Sequence, residues 1–232
     1  MPNLAPLACA LLLSLALAAP TRAALAPTEL RISRAADASQ ARSAALLKQL
    51  VEQNSGTFNL AGVTAVANML RPEFEALGFE VDFKPMPDTA RAGHLIARHH
   101  GNGKGKRVLL IGHLDTVFEP DNPFTGFRIE GNRAFGPGVG DDKGGVIVIL
   151  SALRALHDAG ALQAADIEVV LTGDEEDVGM PVAIARADLI AAGKRADAAL
   201  DFENISHQNG REMGAVARRS SNEWTLTVHG ES

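Results

Sequence analysis

The sequence predicts an α/β fold: a mostly parallel mixed sheet with helices on both faces. The first observation is a fully apolar run at residues 108–111, which is typical of a strand buried on both sides. The second is a helix from about residue 142 to residue 159, whose apolar side chains recur at helical spacing. The third is that buried strands at 167–171 and 198–202 alternate with another helix at 181–192. This order indicates right-handed crossovers between parallel strands.

The segment before this pattern is predicted to form two amphipathic helices and two strands. The helices cover residues 41–54 and 60–77, and Pro72 is a point at which the second could kink or break. The strands cover residues 80–84 and 94–99. A glycine-rich turn at 101–105 then joins them to the apolar run.

Shorter elements complete the prediction. Apolar and polar side chains alternate in residues 127–135 on either side of Gly131-Asn132, which indicates a surface hairpin. Gly193 is expected to close the helix at 181–192. Two further strands are predicted at 213–218 and 224–228, so that the sequence stops in the middle of an element.

The composition is that of a globular domain and argues against a nucleic-acid partner. Apolar residues make up 46% and charged residues 22% of the 232 residues, which excludes disorder as the main state. Lys and Arg number 22 and Asp and Glu number 28, a net charge of −6. The chain has no long Lys/Arg tract with interleaved aromatic residues, so we expect no nucleic-acid binding.

Residues 1–23 resemble a secretory signal peptide, with a Leu- and Ala-rich centre followed by Pro20 and small residues. A short membrane anchor is the alternative, but the apolar stretch is shorter than the ~20 residues that a spanning helix needs. Cleavage is expected after Ala23, which predicts a periplasmic or secreted protein without stable membrane association. The single cysteine, Cys9, would leave with this segment, so the mature chain would have no disulfide and no thiol nucleophile.

Four acidic clusters follow the predicted strands, about one strand-helix-strand unit apart. Because the carboxyl ends of parallel strands meet at one edge of a sheet, we expect these clusters to converge. One His among several carboxylates there predicts a metal-dependent hydrolase. The clusters occupy residues 112–116, 138–145, 174–176 and 201–203.

Each cluster offers a specific chemistry and a plainer alternative. Asp115 could accept the ring proton of His113 and turn the other nitrogen to a metal, or the two could make only a structural hydrogen bond. Asp141 could bridge two cations at the start of a helix, or merely cap that helix. A nucleotide loop at 136–141 is rejected because the final glycine of the dinucleotide fingerprint is missing.

The two remaining clusters supply more carboxylates. Glu175 and Glu176 are adjacent near a strand end and project differently, so one could bind metal and the other act as general base. A solvated acidic loop is the alternative for this pair. Either Asp201 or Glu203, on one face of the third strand, could supply a further metal oxygen.

The blocks at 112–117, 136–145 and 174–176 closely resemble the di-zinc exopeptidase and deacylase family of glutamate carboxypeptidase, acetylornithine deacetylase and succinyl-diaminopimelate desuccinylase. The resemblance implies a cis peptide after the bridging aspartate, and it implies Zn2+, although Co2+ and Mn2+ suit the same donors. The resemblance implies that His113 binds one zinc and that Asp115 orients this histidine. It implies that Asp141 bridges the two zinc ions, that Glu176 binds the other zinc and that Glu175 is the general base. Phe202-Glu203 matches the Phe-Glu ending of the carboxypeptidase branch, which favours Glu203 over Asp201 as the next ligand.

The resemblance implies a hydrolase for amide or peptide bonds, most like a glutamate-type carboxypeptidase, with a small peptide or N-acyl amino acid as substrate. An N-acyl amino acid deacylase is one alternative. The resemblance covers only the N-terminal part of the family's full-length chain. Residues 24–221 would belong to the N-terminal part of the catalytic domain, and residues 222–232 to the first strand of a lid and dimerisation domain. The rest of the lid, its homodimer surface and a final zinc-binding His would be missing, so a truncated, inactive metal-binding fragment is the other alternative.

Overall fold

A computed structural model describes residues 24–217 and 226–230. The predicted signal peptide, residues 1–23, lies outside the described residues. The helices, in chain order, are α1 (Pro27–Ala38), α2 (Gln40–Glu52), α3 (Leu60–Glu75), α4 (Lys143–Asp158), α5 (Val182–Ala185) and α6 (Ala187–Arg195). The strands are β1 (Glu80–Met86), β2 (Arg91–His99), β3 (Arg107–His113), β4 (Arg128–Glu130), β5 (Arg133–Phe135), β6 (Asp166–Thr172), β7 (Ala198–Asp201), β8 (Ser206–Gln208) and β9 (Arg211–Met213).

Five strands form the central sheet, in the order β1-β2-β6-β3-β7. Strand β3 pairs in parallel with both β6 and β7, with His113 opposite Thr172 and Ile111 opposite Asp201. Strand β2 is antiparallel to both of its neighbours, so the other four strands all run in one direction. The predicted mostly parallel mixed sheet is therefore confirmed.

Side chains alternate between the two faces of this sheet, and each face has its own core. Leu110 and Val169 face the larger core, which α2, α3 and α4 cover. Their chain neighbours Leu109 and Val170 point to the opposite face and pack near Ala192 of α6. Helices thus lie on both faces, as the right-handed crossovers between parallel strands predicted.

The helices follow the prediction with three differences. Helix α3 continues through Pro72 and ends at Glu75. The helix predicted at 181–192 is divided into α5 and α6 at Arg186, and α6 runs past Gly193 to Arg195. Helix α1 was not predicted. Within the part of the chain that the structure describes, no helix has the length and apolar character to cross a membrane.

The hairpin predicted at 127–135 is present as β4 and β5. A second hairpin, β8 and β9, occupies residues 206–213, where the sequence predicted a strand only from residue 213 onward. The strand predicted at 224–228 lies partly outside the described residues, and its described part, 226–228, forms neither helix nor strand.

Candidate metal centre

The carboxyl ends of β3, β6 and β7 lie side by side and bring the predicted site residues to one edge of the sheet. His113 is the last residue of β3, and Glu175 and Glu176 follow β6 closely. Glu203 follows β7, and Asp141 precedes α4 by two residues. Residues up to 90 positions apart thus meet, because parallel strands place their ends together.

Two groups of possible metal donors overlap at this edge, and both contain His113. One consists of His113, Asp141 and Glu176, and the other of His113, Glu175 and Glu203. Within each group the donor atoms lie within 4.8 Å of one another. Asp201 belongs to neither group, in line with the preference for Glu203. The sequence analysis singled out all five of these donor residues, four as metal ligands and Glu175 as the general base.

The imidazole of His113 is buried and is contacted through both ring nitrogens. Its Nε2 lies 2.8 Å from Oδ1 of Asp141, and its Nδ1 lies 3.1 Å from the backbone oxygen of Asp115. Burial alone would lower the pKa of His113, but its hydrogen bond and charge interaction with Asp115, helped by Asp142 and Asp141, raise that pKa to about 10. The carboxylates around this ring therefore favour positive charge at the site.

Asp115 is completely buried and contacts not only His113 but also a threonine and two backbone N–H groups. Its Oδ2 accepts hydrogen bonds from Oγ1 of Thr57 at 2.7 Å and from the backbone N–H of Glu176 at 3.1 Å. Its Oδ1 accepts the backbone N–H of Glu175 at 3.0 Å and lies 3.4 Å from Nδ1 of His113. Burial opposes ionisation, yet the bonds from His113 and Thr57 outweigh it and lower the pKa of Asp115. Sequence reasoning foresaw the contact with His113 but missed Thr57 and the backbone contacts.

Substituting Asp115→Asn is expected to destabilise the protein by about 3–5 kcal/mol, the usual cost of breaking a buried charged pair. Both carboxylate oxygens face donors, so either orientation of the Asn amide would turn its own N–H groups toward donors. The free energy of urea unfolding would measure this loss, with the exposed Asp121→Asn as the matched control. Equal unfolding midpoints for the two variants would contradict the prediction.

The peptide bond between Asp141 and Asp142 is cis, as the family resemblance implies. The side chain of Asp141 is 54% exposed. Asp142, not Asp141, precedes the first turn of α4, and its side chain makes no capping hydrogen bond, so the plain helix cap considered for Asp141 is not what the structure has.

Asp142 is buried beneath the cluster and was not singled out by the sequence. Its Oδ2 accepts the backbone N–H of His113 at 3.1 Å, which ties the start of α4 to the end of β3. Burial, reinforced by the charges of Asp141 and Asp201 and opposed by His113, raises the pKa of Asp142 to about 7.

Gly145 lets α4 approach both the site and the end of β7. A Cβ atom on Gly145 would lie 2.0 Å from Oδ1 of Asp142 and 2.2 Å from the backbone oxygen of Phe202. The second contact is with main chain and cannot be relieved by a side-chain rotation.

Substituting Gly145→Ala is therefore expected to destabilise the protein by about 1–3 kcal/mol, as overpacking does. Gly193→Ala in α6 is the matched control, because a Cβ there meets nothing within 4 Å. The control should stabilise the helix by about 0.5–1 kcal/mol, the ordinary advantage of Ala over Gly. Thermal midpoints that move in the same direction for both variants would contradict the prediction.

The charges of the site fit a divalent cation. Burial raises the pKa of Glu175 and of Glu176, and nearby carboxylates such as Asp141 raise both further, although His113 opposes them. Four carboxylates gathered around one imidazole repel one another, and a cation among them would relieve that repulsion. Imidazole and carboxylate oxygens are also the donor types of zinc and related divalent ions.

The comparisons with known proteins agree with this geometry. Residues 109–219 match the model of peptidase family M20/M25/M40. Carboxypeptidase G2 of Pseudomonas sp. (strain RS-16) is 36% identical over 162 residues, which are 69% of this chain and 38% of that protein. A succinyl-diaminopimelate desuccinylase of Rhodospirillum centenum is 34% identical over 165 residues, 67% of this chain and 42% of that protein.

Solved structures show the same fold. The di-peptidase Dug1p from Saccharomyces cerevisiae matches with a TM-score of 0.63 and 18% identity, over 76% of this chain and 41% of that one. The M20 family metallo-carboxypeptidase Sso-CP2 from Sulfolobus solfataricus matches with a TM-score of 0.55 and 22% identity, over 69% of this chain and 37% of that one. The chain spans about two fifths of the length of these relatives. The resemblance predicted from the sequence is thus confirmed: residues 109–219, which include the candidate metal centre, match peptidase family M20/M25/M40.

Proposed function

We propose that this chain carries the metal centre of a di-zinc hydrolase that cleaves an amide or peptide bond. The observation that supports this best is that two overlapping donor groups, each within 4.8 Å, together bring one imidazole and four carboxylates to this edge of the sheet. Two ions held by overlapping ligands, ~3.5–4 Å apart, are the usual arrangement in two-metal hydrolases. Zn2+ is the ion we propose, and Co2+ or Mn2+ would suit the same oxygen and nitrogen donors.

The residues of the site would act as metal ligands, as an orienting group and as a general base. His113, Asp141, Glu176 and Glu203 would hold the ions. Bound zinc supplies Lewis-acid polarisation of the scissile carbonyl and makes a water molecule acidic enough to ionise near neutral pH. Glu175 would take the proton of the attacking water at its carboxylate and return it to the leaving amine nitrogen. Asp115 would hold the imidazole of His113 and the backbone of Glu175 in place throughout.

We propose a glutamate-type carboxypeptidase acting on a small peptide or an N-acyl amino acid. The 36% identity to carboxypeptidase G2 and the Phe202-Glu203 ending support this choice. An N-acyl amino acid deacylase is the second candidate, supported by the desuccinylase above and by an acetylornithine deacetylase of Klebsiella pneumoniae that is 38% identical over 117 residues. We also propose a periplasmic or secreted location, because residues 1–23 resemble a signal peptide.

Elemental analysis of the purified protein, combined with hydrolysis assays, tests the proposal. We expect about two metal equivalents per chain and turnover that is lost on chelation and restored by Zn2+. Comparing an N-acyl glutamate with an N-acyl ornithine of the same acyl group separates the two candidates, since a glutamate-type enzyme would prefer the first. A protein that binds no metal and hydrolyses neither compound would overturn the proposal.

A further inference from the structure

The loop at residues 174–179 carries two of the three glutamates of the site, and it is closed by a buried aspartate. Asp174 is completely buried. Its Oδ2 accepts the backbone N–H of Gly179 at 2.9 Å, which joins the two ends of the loop. Glu175 and Glu176 lie between these ends, so the position of Asp174 limits where their backbones can lie.

Arg186 holds Asp174 from the junction of α5 and α6. Its guanidinium donates through Nη1 to Oδ1 of Asp174 and through Nη2 to the backbone oxygen of the same residue, the latter at 3.1 Å. The side chain of Arg186 is 16% exposed, and that of Asp174 is not exposed at all. A planar guanidinium that contacts two atoms of one residue fixes orientation as well as charge.

Two further residues, Asp115 and Arg91, contact the middle of the loop. Asp115 accepts the backbone N–H groups of Glu175 and Glu176. Arg91 donates to the backbone oxygen of Asp177 at 2.8 Å and also pairs with its carboxylate. Asp115 contacts His113 of the site directly, whereas Asp174 and Arg186 belong to neither donor group.

We propose that Arg186 is a positioning residue for the metal centre, acting through Asp174 to fix the loop that presents Glu175 and Glu176. This inference rests on the proposed function, because it assigns those two glutamates to the metal centre. Carboxylates that repel one another stay together only if their backbone is held. Without the guanidinium, Asp174 is a buried, unpaired charge, and the loop would shift to bring it to water.

Co2+ binding, followed by the visible absorption of the bound ion, tests the proposal in three variants. Arg186→Gln is expected to weaken Co2+ affinity 10–100-fold, the usual effect of losing an outer partner of metal ligands. Arg186→Lys, which keeps the charge but not the two-point contact, should recover part of that loss. Arg195→Gln is the matched control: this arginine ends α6 and also pairs with a carboxylate, that of Glu168, which lies near the amino end of β6, whereas the metal centre lies at the carboxyl ends of the strands. Its Co2+ affinity should equal that of the unsubstituted protein.

Hydrogen exchange of the metal-free protein gives a second readout that does not depend on the metal. In Arg186→Gln the amides at 173–180 should exchange faster, while those of β3 and α4 stay protected. The double variant Asp174→Asn with Arg186→Gln leaves no unpaired buried charge, so it serves if the single variant does not fold. It should show both effects to a smaller degree, because the contacts of the guanidinium are lost but no buried charge drives the loop toward water.

The two readouts separate failure of the inference from failure of the proposed function. If the unsubstituted protein binds no Co2+, the proposed function fails, and exchange at 173–180 alone then decides whether Arg186 fixes the loop. Unchanged exchange in Arg186→Gln would overturn the inference. It would equally be overturned if Arg186→Gln bound Co2+ as tightly as Arg195→Gln.

Discussion

Replacing Asp141 with Ala is expected to reduce the metal content from two equivalents to none and to abolish hydrolysis. Oδ1 of Asp141 lies 2.8 Å from Nε2 of His113, the nitrogen that would also bind metal. Asp141 shares one donor group with His113 and Glu176, and a carboxylate has two oxygens with which it can bridge the ions of a two-metal site. Without the bridge, each ion loses a charged ligand and gains the uncompensated repulsion of the other.

The same substitution should leave the metal-free fold almost unchanged. The side chain of Asp141 is 54% exposed, so its removal opens no cavity in a core. Exposed substitutions of this kind usually change the free energy of unfolding by less than about 0.5 kcal/mol. Thermal midpoints in chelator would check this, and elemental analysis in zinc would check the metal content, with the exposed Asp121→Ala as control. Retention of one ion would show that Asp141 binds a single metal and does not bridge.

The parts of the fold that position this site were predicted correctly because their signals are local. Helix α4 was predicted at 142–159 and spans Lys143–Asp158, since its apolar stripe is continuous. Strands β3, β6 and β7 each contain a short apolar run followed by carboxylates, although β7, which was predicted to be buried, is exposed along its length. The convergence of the acidic clusters then follows from parallel pairing alone.

Helix α1 was missed because it offers no apolar stripe to detect. None of its residues is buried. It depends instead on a proline in its first turn and on Glu29, whose carboxylate accepts the backbone N–H of Ala26 at 2.7 Å. The hairpin of β8 and β9 had a clear signal that was overlooked: Asn209-Gly210, both with positive φ, is the usual pair of a two-residue hairpin turn.

Contacts between distant segments could not be predicted from local pattern. The hydrogen bond from Thr57 to Asp115 joins residues 58 positions apart. The division of the predicted helix at 181–192 falls at Arg186, whose guanidinium reaches back to Asp174. Tertiary contacts determine where such a helix is interrupted, and these contacts cannot be inferred from helical periodicity.

Replacing Glu175 with Gln is expected to lower the rate of amide hydrolysis 10²–10⁴-fold, the usual contribution of a general base. The amide keeps the shape of the side chain but cannot accept a proton from water. The loop should stay in place, because the contact of Glu175 with Asp115 is made by its backbone N–H. The metal content should therefore remain at two equivalents, and only the rate of the chemical step should fall.

Glu176→Gln is the informative partner of this variant, since the neighbouring glutamate is the proposed ligand. In that protein the metal content itself should fall, and added zinc should recover part of the activity. Glu80→Gln, on the exposed start of β1, controls for loss of a negative charge. The structure places Glu175 with Glu203 and His113 within 4.8 Å, so a ligand role for Glu175 has its own expected result: metal lost from Glu175→Gln and retained in Glu176→Gln. Measuring metal and rate together in the two variants therefore assigns the base and the ligand independently.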